Sequence, residues 1–512
     1  MVGSYICTCA TPYRSDGPAI AEDQTLVDTD DNGDLTSKRI CYKCVGEAYL
    51  SAEIEQFGDD GGCAYCGDTA LSLPIVDLAE RIETAFDDHY VRTPDQPNSW
   101  QLSMLADRES SYDWDREGSP VVDAIADAAQ ISLAAAEDVL EILEERHGNF
   151  DKDALGEESE FSSDSYYQEK GPDDRGWQEE WRYFEHSLKT QARYFSQTAA
   201  DHLAQVFGAI DKLTTRDLRQ LVVDAGPGTA FDHLYRARVF QAEEPLKKAL
   251  RRPDLHLGSA PRIVARAGRM NAHGISVFYG ATEAKVAIAE VRPPVGGKVI
   301  VARFGITRPL RLLDLTALKE VHVTGSIFDP SLKRQLERAS FLRTVGERMA
   351  RPVMPDDELI DYLPTQAVAD FLATMNEPRL DGIVFLSAQT KGGCNVVLFH
   401  HAAKVAETVF PNGVEIDIST GSWTEEGWEI EYSVSEKVPS KSALNQPVHD
   451  EAVWGDLCAH PPEPRHWDDD FREAALKVEL DSIAVHHVDS VVIATAQHLV
   501  QRFRYEAHEH KF

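Results

Sequence analysis

The apolar pattern from residue 274 to residue 291 changes from that of a strand to that of a helix within a few positions. Residues 275–279 are mostly β-branched or aromatic and are bounded by glycines, which predicts a short buried strand. Apolar residues then recur at i, i+3, i+4 and i+7 from Ala284 to Val291, which is typical of a helix with one apolar face. Glu290 lies at the border of that face, so the sequence predicts a half-sheltered carboxylate beside the strand.

A second pair of strands is predicted later in the chain. Residues 382–386 and 396–399 are apolar runs, and the residues at 390–393 between them are typical of a turn. Ser387 and Asn395 then lie at the mouth of this hairpin. The sequence therefore predicts polar side chains at the end of a buried strand pair.

These segments together resemble the RES domain, a family named for Arg, Glu and Ser positions, whose members degrade NAD as toxins of bacterial toxin-antitoxin pairs. The matching positions are, in chain order, Arg236 on a first strand, Gly268, Arg269, Asn271 and Gly274 in a G-R-x-N-x-x-G loop, Tyr279 at a strand end, Ala287, Glu290 and Val291 in an A-x-x-E-V helix, and Ser387, Gly393 and Asn395 near the hairpin. Met270 departs from the pattern, because many relatives carry an aromatic residue there. The resemblance implies a mixed α/β domain of ADP-ribosyltransferase-like fold over residues 233–405.

The chemistry of NAD cleavage explains why such residue types are needed. Breaking the N-glycosidic bond builds positive charge on the ribose and releases a neutral nicotinamide, so a site needs an anion near the ribose and cations on the diphosphate. Arginine holds phosphate oxygens through two parallel hydrogen bonds, which lysine cannot do. The resemblance implies catalytic roles for Glu290, Arg269 and Ser387, and substrate-binding roles for Arg236, Tyr279, Asn271 and Asn395.

Each of these residues alone also fits an ordinary structural role. An arginine at a strand start is usually a solvated charge, and a tyrosine such as Tyr279 could be a core residue with a satisfied hydroxyl. Glu290 could pair with a nearby cation on an exposed helix. The joint order of the motifs favours a functional NAD site over these separate roles.

Four cysteines near the start of the chain predict a metal site. Cys41-x2-Cys44 and Cys63-x2-Cys66 form two pairs whose spacing fits four thiolates around one structural zinc, as in a zinc ribbon, within residues 1–70. The alternative is two disulfides, which would require an oxidising compartment. A site with four cysteine ligands has no open position, so this zinc should stabilise the fold and not catalyse.

Residues 71–232 are predicted to be mostly helical. Helical spacing covers residues 73–91, 121–146 and 177–210, and the acidic stretch at 151–175 is predicted to be a surface loop. This layout resembles the HEPN/RES N-terminal domain that precedes some RES domains. Many HEPN domains are ribonucleases with an Arg and a His separated by four to six residues, and the pairs Arg182 with His186 and Arg193 with His202 do not have that spacing. We therefore predict an interaction, dimerisation or regulatory module here, with a ribonuclease as the alternative.

The composition restricts the partners that the chain can have. Its net charge of -35 argues against nonspecific binding to nucleic acid or to anionic membranes, which require basic surfaces. No apolar run has transmembrane length, and residues 1–20 lack the pattern of a secretory signal, which predicts a cytoplasmic protein. Residues 406–512 are predicted to form an acidic C-terminal extension, with one or two strands at 414–434 and helical spacing at 471–505.

The sequence thus predicts a multi-domain α+β protein with a zinc-ribbon-like start, a helical module and a RES-type NAD-binding domain. The predicted function is cleavage of NAD with phosphate or water as the acceptor, as a toxin or defence effector. The alternatives are ADP-ribosylation of a macromolecule and a zinc-bearing interaction protein without catalysis. Toxicity implies a neutralising antitoxin or immunity protein as a partner, and a homo-oligomer is also compatible with the sequence.

Overall fold

The computed structural model describes residues 35–107, 109, 111–148, 158–351, 353–354, 356–425, 427–439 and 470–504. Cys7, Cys9 and Cys458, which the zinc prediction does not use, lie outside these residues. The described residues divide into two compact units. The N-terminal unit lies within residues 1–170 together with 326–329, and the sheet unit lies within 171–325 and 330–512.

The N-terminal unit packs short antiparallel strands against amphipathic helices. Its helices are α1 (Ala48–Phe57), α2 (Ile75–His89), α3 (Ser99–Ala106), α4 (Val121–Ala129) and α5 (Leu133–His147), and its strands are β1 (Arg39–Cys41), β2 (Asp59–Gly62), β3 (Thr69–Pro74), β4 (Tyr90–Arg92), β5 (Ser119–Pro120) and β6 (Tyr166–Glu169). One sheet has the order β1-β3-β2 and the other the order β4-β6-β5. The predicted helical segments at 73–91 and 121–146 are confirmed, the second as two helices.

Helix α2 shows why this unit folds as it does. Ile75, Leu78, Ile82 and Phe86 recur at helical spacing and are all buried, so one face of the helix enters the core. The opposite helix α5 begins where the Ser132 side chain accepts a hydrogen bond from a backbone N-H of its first turn. An apolar face thus accounts for the burial of α2, and a cap residue accounts for the start of α5.

The prediction of a surface loop at 151–175 is wrong for residues 158–169. Strand β6 lies there, and the side chains of Phe161 and Tyr167 are buried in the core of the N-terminal unit. The Tyr167 hydroxyl accepts a hydrogen bond from the Phe161 N-H and donates one to Glu160. This segment therefore packs against the core through two aromatic side chains, although its average composition is polar.

The sheet unit is built on one eight-stranded sheet. Its further helices are α6 (Arg175–Thr190), α7 (Gln197–Phe207), α8 (Glu243–Arg251), α9 (Pro253–His256), α10 (Ala284–Glu290), α11 (Leu332–Ala350), α12 (Glu358–Asp361) and α13 (Leu363–Thr374). Its strands are β7 (Thr214–Thr215), β8 (Val222–Ala225), β9 (His233–Phe240), β10 (Phe278–Ala281), β11 (Lys298–Ile306), β12 (Leu310–Asp314), β13 (Val321–His322), β14 (Gly382–Leu386), β15 (Cys394–Leu398), β16 (Glu415–Ser419), β17 (Ser422–Thr424), β18 (Gly427–Glu429), β19 (Ser433–Lys437) and β20 (Leu476–His487). The order of the large sheet is β20-β11-β9-β10-β15-β14-β12-β8.

Both faces of the large sheet are covered, which explains the continuous apolar runs of its central strands. On β14, Ile383 and Phe385 enter one core together with helices α6, α7, α11 and α13, whereas Val384 enters a second core on the opposite face. The pairs are antiparallel except for β12 with β14, which is parallel. The predicted hairpin is confirmed, since β14 pairs with β15 from Gly382 to Leu386.

Two other expectations for this unit change. The strand predicted at 275–279 begins three residues later, because Asn271 and the left-handed Gly274, with φ of 83°, hold the preceding residues in a loop. The helical spacing at 471–505 is overturned, since residues 476–487 form β20 and pair with β11 at the sheet edge. The helix α10 is confirmed.

The helical pattern predicted at 177–210 is divided into α6 and α7 by a bend at residues 191–196. His202 on α7 is buried and lies 5.9 Å from the Trp181 ring and 5.6 Å from the Phe184 ring. It is therefore a packed core residue.

The resemblance to a HEPN/RES N-terminal domain stays a prediction. Among the described helices, none has the length and apolar composition needed to cross a membrane.

Candidate active site

The predicted polar residues meet at a cavity of about 390 Å³ in the sheet unit. Its walls come from β9, the loop at 268–269, β10, α10, the β14-β15 hairpin and the α12 region. Among the predicted site residues, those that line the cavity are Arg236, Arg269, Tyr279, Glu290 and Asn395. Segments that are more than 150 residues apart in the chain therefore contribute to one small chamber.

Glu290 is held by two side chains of the β14-β15 hairpin. The Ser387 hydroxyl donates a hydrogen bond of 2.6 Å to Glu290 Oε1, and the Asn395 Nδ2 group donates one of 2.8 Å to the same oxygen. Within the described parts of the chain, Oε2 accepts no hydrogen bond. The predicted half-sheltered carboxylate is in fact exposed, because Glu290 is the last residue of α10 and lies at the cavity mouth.

The direction of the Ser387 hydroxyl is fixed by the turn that follows it. Its oxygen accepts hydrogen bonds from the backbone N-H groups of Gln389 and Thr390, at 3.0 and 3.2 Å. The hydroxyl proton is then left for Glu290. A side chain at Gly393 would meet Val286 Cγ2 at 2.3 Å, so only glycine allows this turn to approach α10.

The two predicted arginines line the cavity in different ways. Arg269 donates a hydrogen bond of 3.1 Å to the Met349 carbonyl, and its guanidinium lies 6.0 Å from the centre of the Tyr362 ring. Arg236 lies 4.7 Å from the Phe278 ring, and its Nη1 atom is buried without a hydrogen-bond partner among the described residues. Burial, with a smaller effect from Arg238, lowers the pKa of Arg236. A buried cation without a partner is unfavourable until an anion binds.

Tyr279 and Asn271 form one network, and only Tyr279 reaches the cavity. The Tyr279 hydroxyl donates to Asn271 Oδ1 at 2.9 Å and accepts from the Met270 N-H at 3.0 Å. Asn271 is buried, and its Nδ2 group donates to the carbonyls of Arg266, Ala272 and Ile275. Asn271 therefore does not line the cavity, and its amide is occupied by the loop that it folds.

No sequence motif predicts the wall that α12 and the residue directly after it contribute. Glu358 and Tyr362 line the cavity, and the Tyr362 hydroxyl donates a hydrogen bond of 3.1 Å to Glu358 Oε1. Gln366 donates to the carbonyls of Gly268 and Asn271, which fixes the loop that carries Arg269. These residues carry no motif, and the 95 and 98 positions between Gln366 and its two partners hide the contact until the chain is folded.

The four cysteines predicted to bind zinc meet in the N-terminal unit. Their Sγ atoms all lie within 4.8 Å of one another, and this group could hold a metal ion. Cys41 and Cys66, like Cys44 and Cys63, have Sγ atoms 3.7 Å apart. A tetrahedral zinc with Zn-S bonds of about 2.3 Å separates its sulfur ligands by about 3.8 Å, so the thiols fit that ion.

The fit to a metal extends to the backbone around the thiols. The Cys41 N-H donates a hydrogen bond of 3.4 Å to Cys63 Sγ. Burial would raise the pKa of the Cys63 thiol, but backbone N-H groups at Cys41, Tyr65 and Cys66 lower it to about 7. Donors directed at a sulfur favour the thiolate, which is the form that binds metal.

One family model matches the region of the chain that contains this cavity. Residues 233–420 match the family model for the RES domain, and the match includes Arg236, Arg269, Glu290 and Ser387. This supports the RES family for that part of the chain, and a RES domain is consistent with an NAD-related toxin function. Searches of the curated proteins and of the solved structures gave no match.

Proposed function

We propose that the cavity of the sheet unit binds NAD and cleaves its nicotinamide-ribose bond, with phosphate or water as the acceptor. One observation carries this proposal: Glu290, held by Ser387 and Asn395, lines the same cavity as Arg236 and Arg269. A fixed carboxylate and two guanidinium groups complement the cationic ribose and the anionic diphosphate of NAD.

The bond change requires little proton transfer. The electron pair of the bond between ribose C1′ and the ring nitrogen passes to nicotinamide, which leaves as a neutral base. Glu290 stabilises the positive charge that develops on the ribose. Because Ser387 and Asn395 occupy Oε1, Oε2 is the oxygen available to the ribose or to the acceptor. A water acceptor loses a proton to this oxygen as it bonds to C1′, whereas a phosphate oxygen can attack without a base.

Arg236 supplies the strongest supporting argument from energetics. Its buried Nη1 atom has no hydrogen-bond partner among the residues that the structure describes. An unpartnered charged donor costs stability, and because Arg236 lines a cavity, a ligand there can complete it. A phosphate oxygen of the diphosphate would supply the missing acceptor and the counter-charge.

The N-terminal thiols support a structural metal. We infer that Cys41, Cys44, Cys63 and Cys66 hold one zinc, which four thiolates would enclose without leaving a position for substrate. NAD depletion would harm the cell that contains the enzyme. We therefore propose a toxin or defence role in the cytoplasm, with a neutralising protein as partner.

The test is a product analysis with purified full-length protein and NAD, with and without phosphate. We expect nicotinamide in both reactions, with ADP-ribose phosphorylated at C1″ when phosphate is the acceptor and ADP-ribose when water is. ADP-ribose bound to protein or nucleic acid would instead indicate transfer to a macromolecule. Release of no nicotinamide under any of these conditions would refute the proposal and favour an interaction protein.

A further inference from the structure

One wall of the cavity carries a carboxylate that the reaction does not use. Glu358, on α12, is half-buried and lines the cavity with Tyr362 and Arg269. It accepts a hydrogen bond from the Tyr362 hydroxyl. Among the described residues, no lysine, arginine or histidine forms an ion pair with it. The charge of Glu358 is therefore free to act on a ligand in the cavity.

The position of this carboxylate relative to the diphosphate site follows from Arg269. The guanidinium of Arg269 lies 6.0 Å from the centre of the Tyr362 ring, and Tyr362 in turn contacts Glu358. Glu290 shares no hydrogen bond with this group, since its partners are Ser387 and Asn395. Two carboxylates thus line one cavity, and Arg269 lies near the Tyr362 ring beside the second of them, Glu358.

The groups of NAD follow one another in a fixed order. This order indicates which half of NAD faces each of the two carboxylates. The diphosphate separates the nicotinamide ribose from the adenosine ribose. Suppose that Glu290 faces the nicotinamide ribose and that Arg269 holds the diphosphate. Glu358, which lies next to Arg269 through Tyr362, then faces the adenosine half of NAD. We propose that Glu358 binds the adenosine ribose and restricts the site to NAD over its 2′-phosphorylated form, NADP. This inference rests on the function proposed above.

The physical basis is the difference between a hydroxyl and a phosphate at one carbon of the ribose. A carboxylate accepts hydrogen bonds from the 2′ and 3′ hydroxyls of an unmodified ribose, as acidic residues do in other dinucleotide sites. A 2′-phosphate offers acceptors in place of the donor and adds about two negative charges. Repulsion between like charges in a partly enclosed cavity then penalises NADP. We expect kcat/KM for NAD to exceed that for NADP by on the order of a hundredfold.

The variant that tests this is Glu358→Gln. Glutamine keeps the length and the acceptor for the Tyr362 hydroxyl but removes the negative charge. We expect the ratio of kcat/KM for NAD to that for NADP to fall about tenfold, mainly through a lower KM for NADP. Asp357→Asn is the matched control, because Asp357 is the adjacent exposed carboxylate and does not line the cavity.

A binding experiment separates this inference from the proposed reaction. Calorimetry with ADP-ribose and with its 2′-phosphate reports recognition of the adenosine half whether or not NAD is cleaved. Preference of the wild-type protein for ADP-ribose, lost in Glu358→Gln and kept in Asp357→Asn, supports the proposal even if no nicotinamide is released. Equal binding of the two ligands by the wild-type protein, or a preference that Glu358→Gln leaves unchanged, overturns it.

Discussion

Glu158 and the four thiols of the N-terminal unit contrast with Arg236 and Glu290 of the sheet unit in how their polar atoms are satisfied. In the N-terminal unit, Glu158 accepts hydrogen bonds from Arg92 and Arg116, and four thiols face one another at metal-ligand distances. In the sheet unit, Arg236 keeps a buried N-H group without a partner among the described residues, and Glu290 is bonded through one oxygen. The first arrangement stabilises a fold.

The second arrangement costs stability, which fits the ligand site proposed above. A buried polar group without a partner is unfavourable by roughly 1–3 kcal/mol, and more if it is charged. Substitutions in the two units should therefore differ in kind: those in the N-terminal unit should change unfolding, and those at the cavity should change turnover or affinity. The following predictions test that contrast, from the largest expected effect to the smallest.

Loss of the metal should have the largest effect and should be confined to the N-terminal unit. Zinc bound by four thiolates contributes on the order of 10 kcal/mol, which is comparable to the whole stability of a domain. Cys44→Ser, or a strong chelator, should therefore unfold this unit, as measured by hydrogen exchange of the full chain. Cys394→Ser is the control, since this thiol lies on β15, outside the cluster. Reduced protein that contains no metal would contradict the prediction.

Glu290→Gln should show the opposite behaviour, with catalysis lost and stability kept. The variant removes the charge that opposes the developing oxocarbenium ion, so kcat should fall about a hundredfold or more while NAD affinity changes little. Single-turnover release of nicotinamide measures the effect. Glu283→Gln is the matched control, because Glu283 precedes the same helix and does not line the cavity. Normal turnover by Glu290→Gln would place the reaction elsewhere.

Glu158→Gln should change stability in a manner that depends on pH. Hydrogen bonds from Arg116, and to a smaller extent from Arg92, lower the pKa of Glu158 despite its burial. A carboxylate with a depressed pKa stabilises the fold above its unfolded-state pKa, and that contribution is lost as pH falls through the folded-state pKa. We expect the substitution to reduce the free energy of unfolding by about 2 kcal/mol at pH 7.

The measurement for Glu158 is urea unfolding at neutral and acidic pH. The difference between wild type and Glu158→Gln should shrink below about pH 4, where the unfolded chain protonates the carboxylate. Asp164→Asn serves as control, since Asp164 is exposed in the same segment. A difference that stays constant down to acidic pH would show that the charge of Glu158 is not what stabilises this unit.

Arg269→Lys should have the smallest effect, and the effect should appear in affinity first. Lysine keeps the positive charge but loses the planar group that can hold two phosphate oxygens, so KM for NAD should rise about tenfold with a smaller change in kcat. Steady-state kinetics separates the two constants. Arg262→Lys is the control, because Arg262 is exposed and does not line the cavity. A fall in kcat at unchanged KM would assign Arg269 to the chemical step.

The strands and helices that local sequence patterns determine could be predicted from the sequence. The apolar runs of β14 and β15 are buried on both sides and bounded by turn residues, so their pairing could be predicted. Strand β20 was missed because a charged segment becomes a strand only by pairing with β11, about 180 residues earlier. Long-range pairing overrides the helical spacing there.

The candidate site, like the fold, could be predicted only where local motifs mark its residues. Glu290, Ser387 and Asn395 carried recognisable motifs, and their side chains do meet. Asn271 belongs to the same pattern but folds the loop instead of facing the cavity, because the sequence cannot show which partners its amide finds. Glu358 and Tyr362 had no local signal, since only the folded chain brings α12 to the cavity.

The parallel pairing of β12 with β14 has a consequence for how such a site can diversify. Parallel neighbours require a long crossover, and here residues 315–381 form it and carry Glu358 and Tyr362. The reactive carboxylate lies outside this crossover, on a helix fixed by the β14-β15 hairpin. Under the roles proposed for Glu358 and Glu290, nucleotide preference and bond cleavage would be encoded in separate stretches of the gene. Changes in the crossover can alter which dinucleotide is accepted while the position of the reactive carboxylate is inherited unchanged.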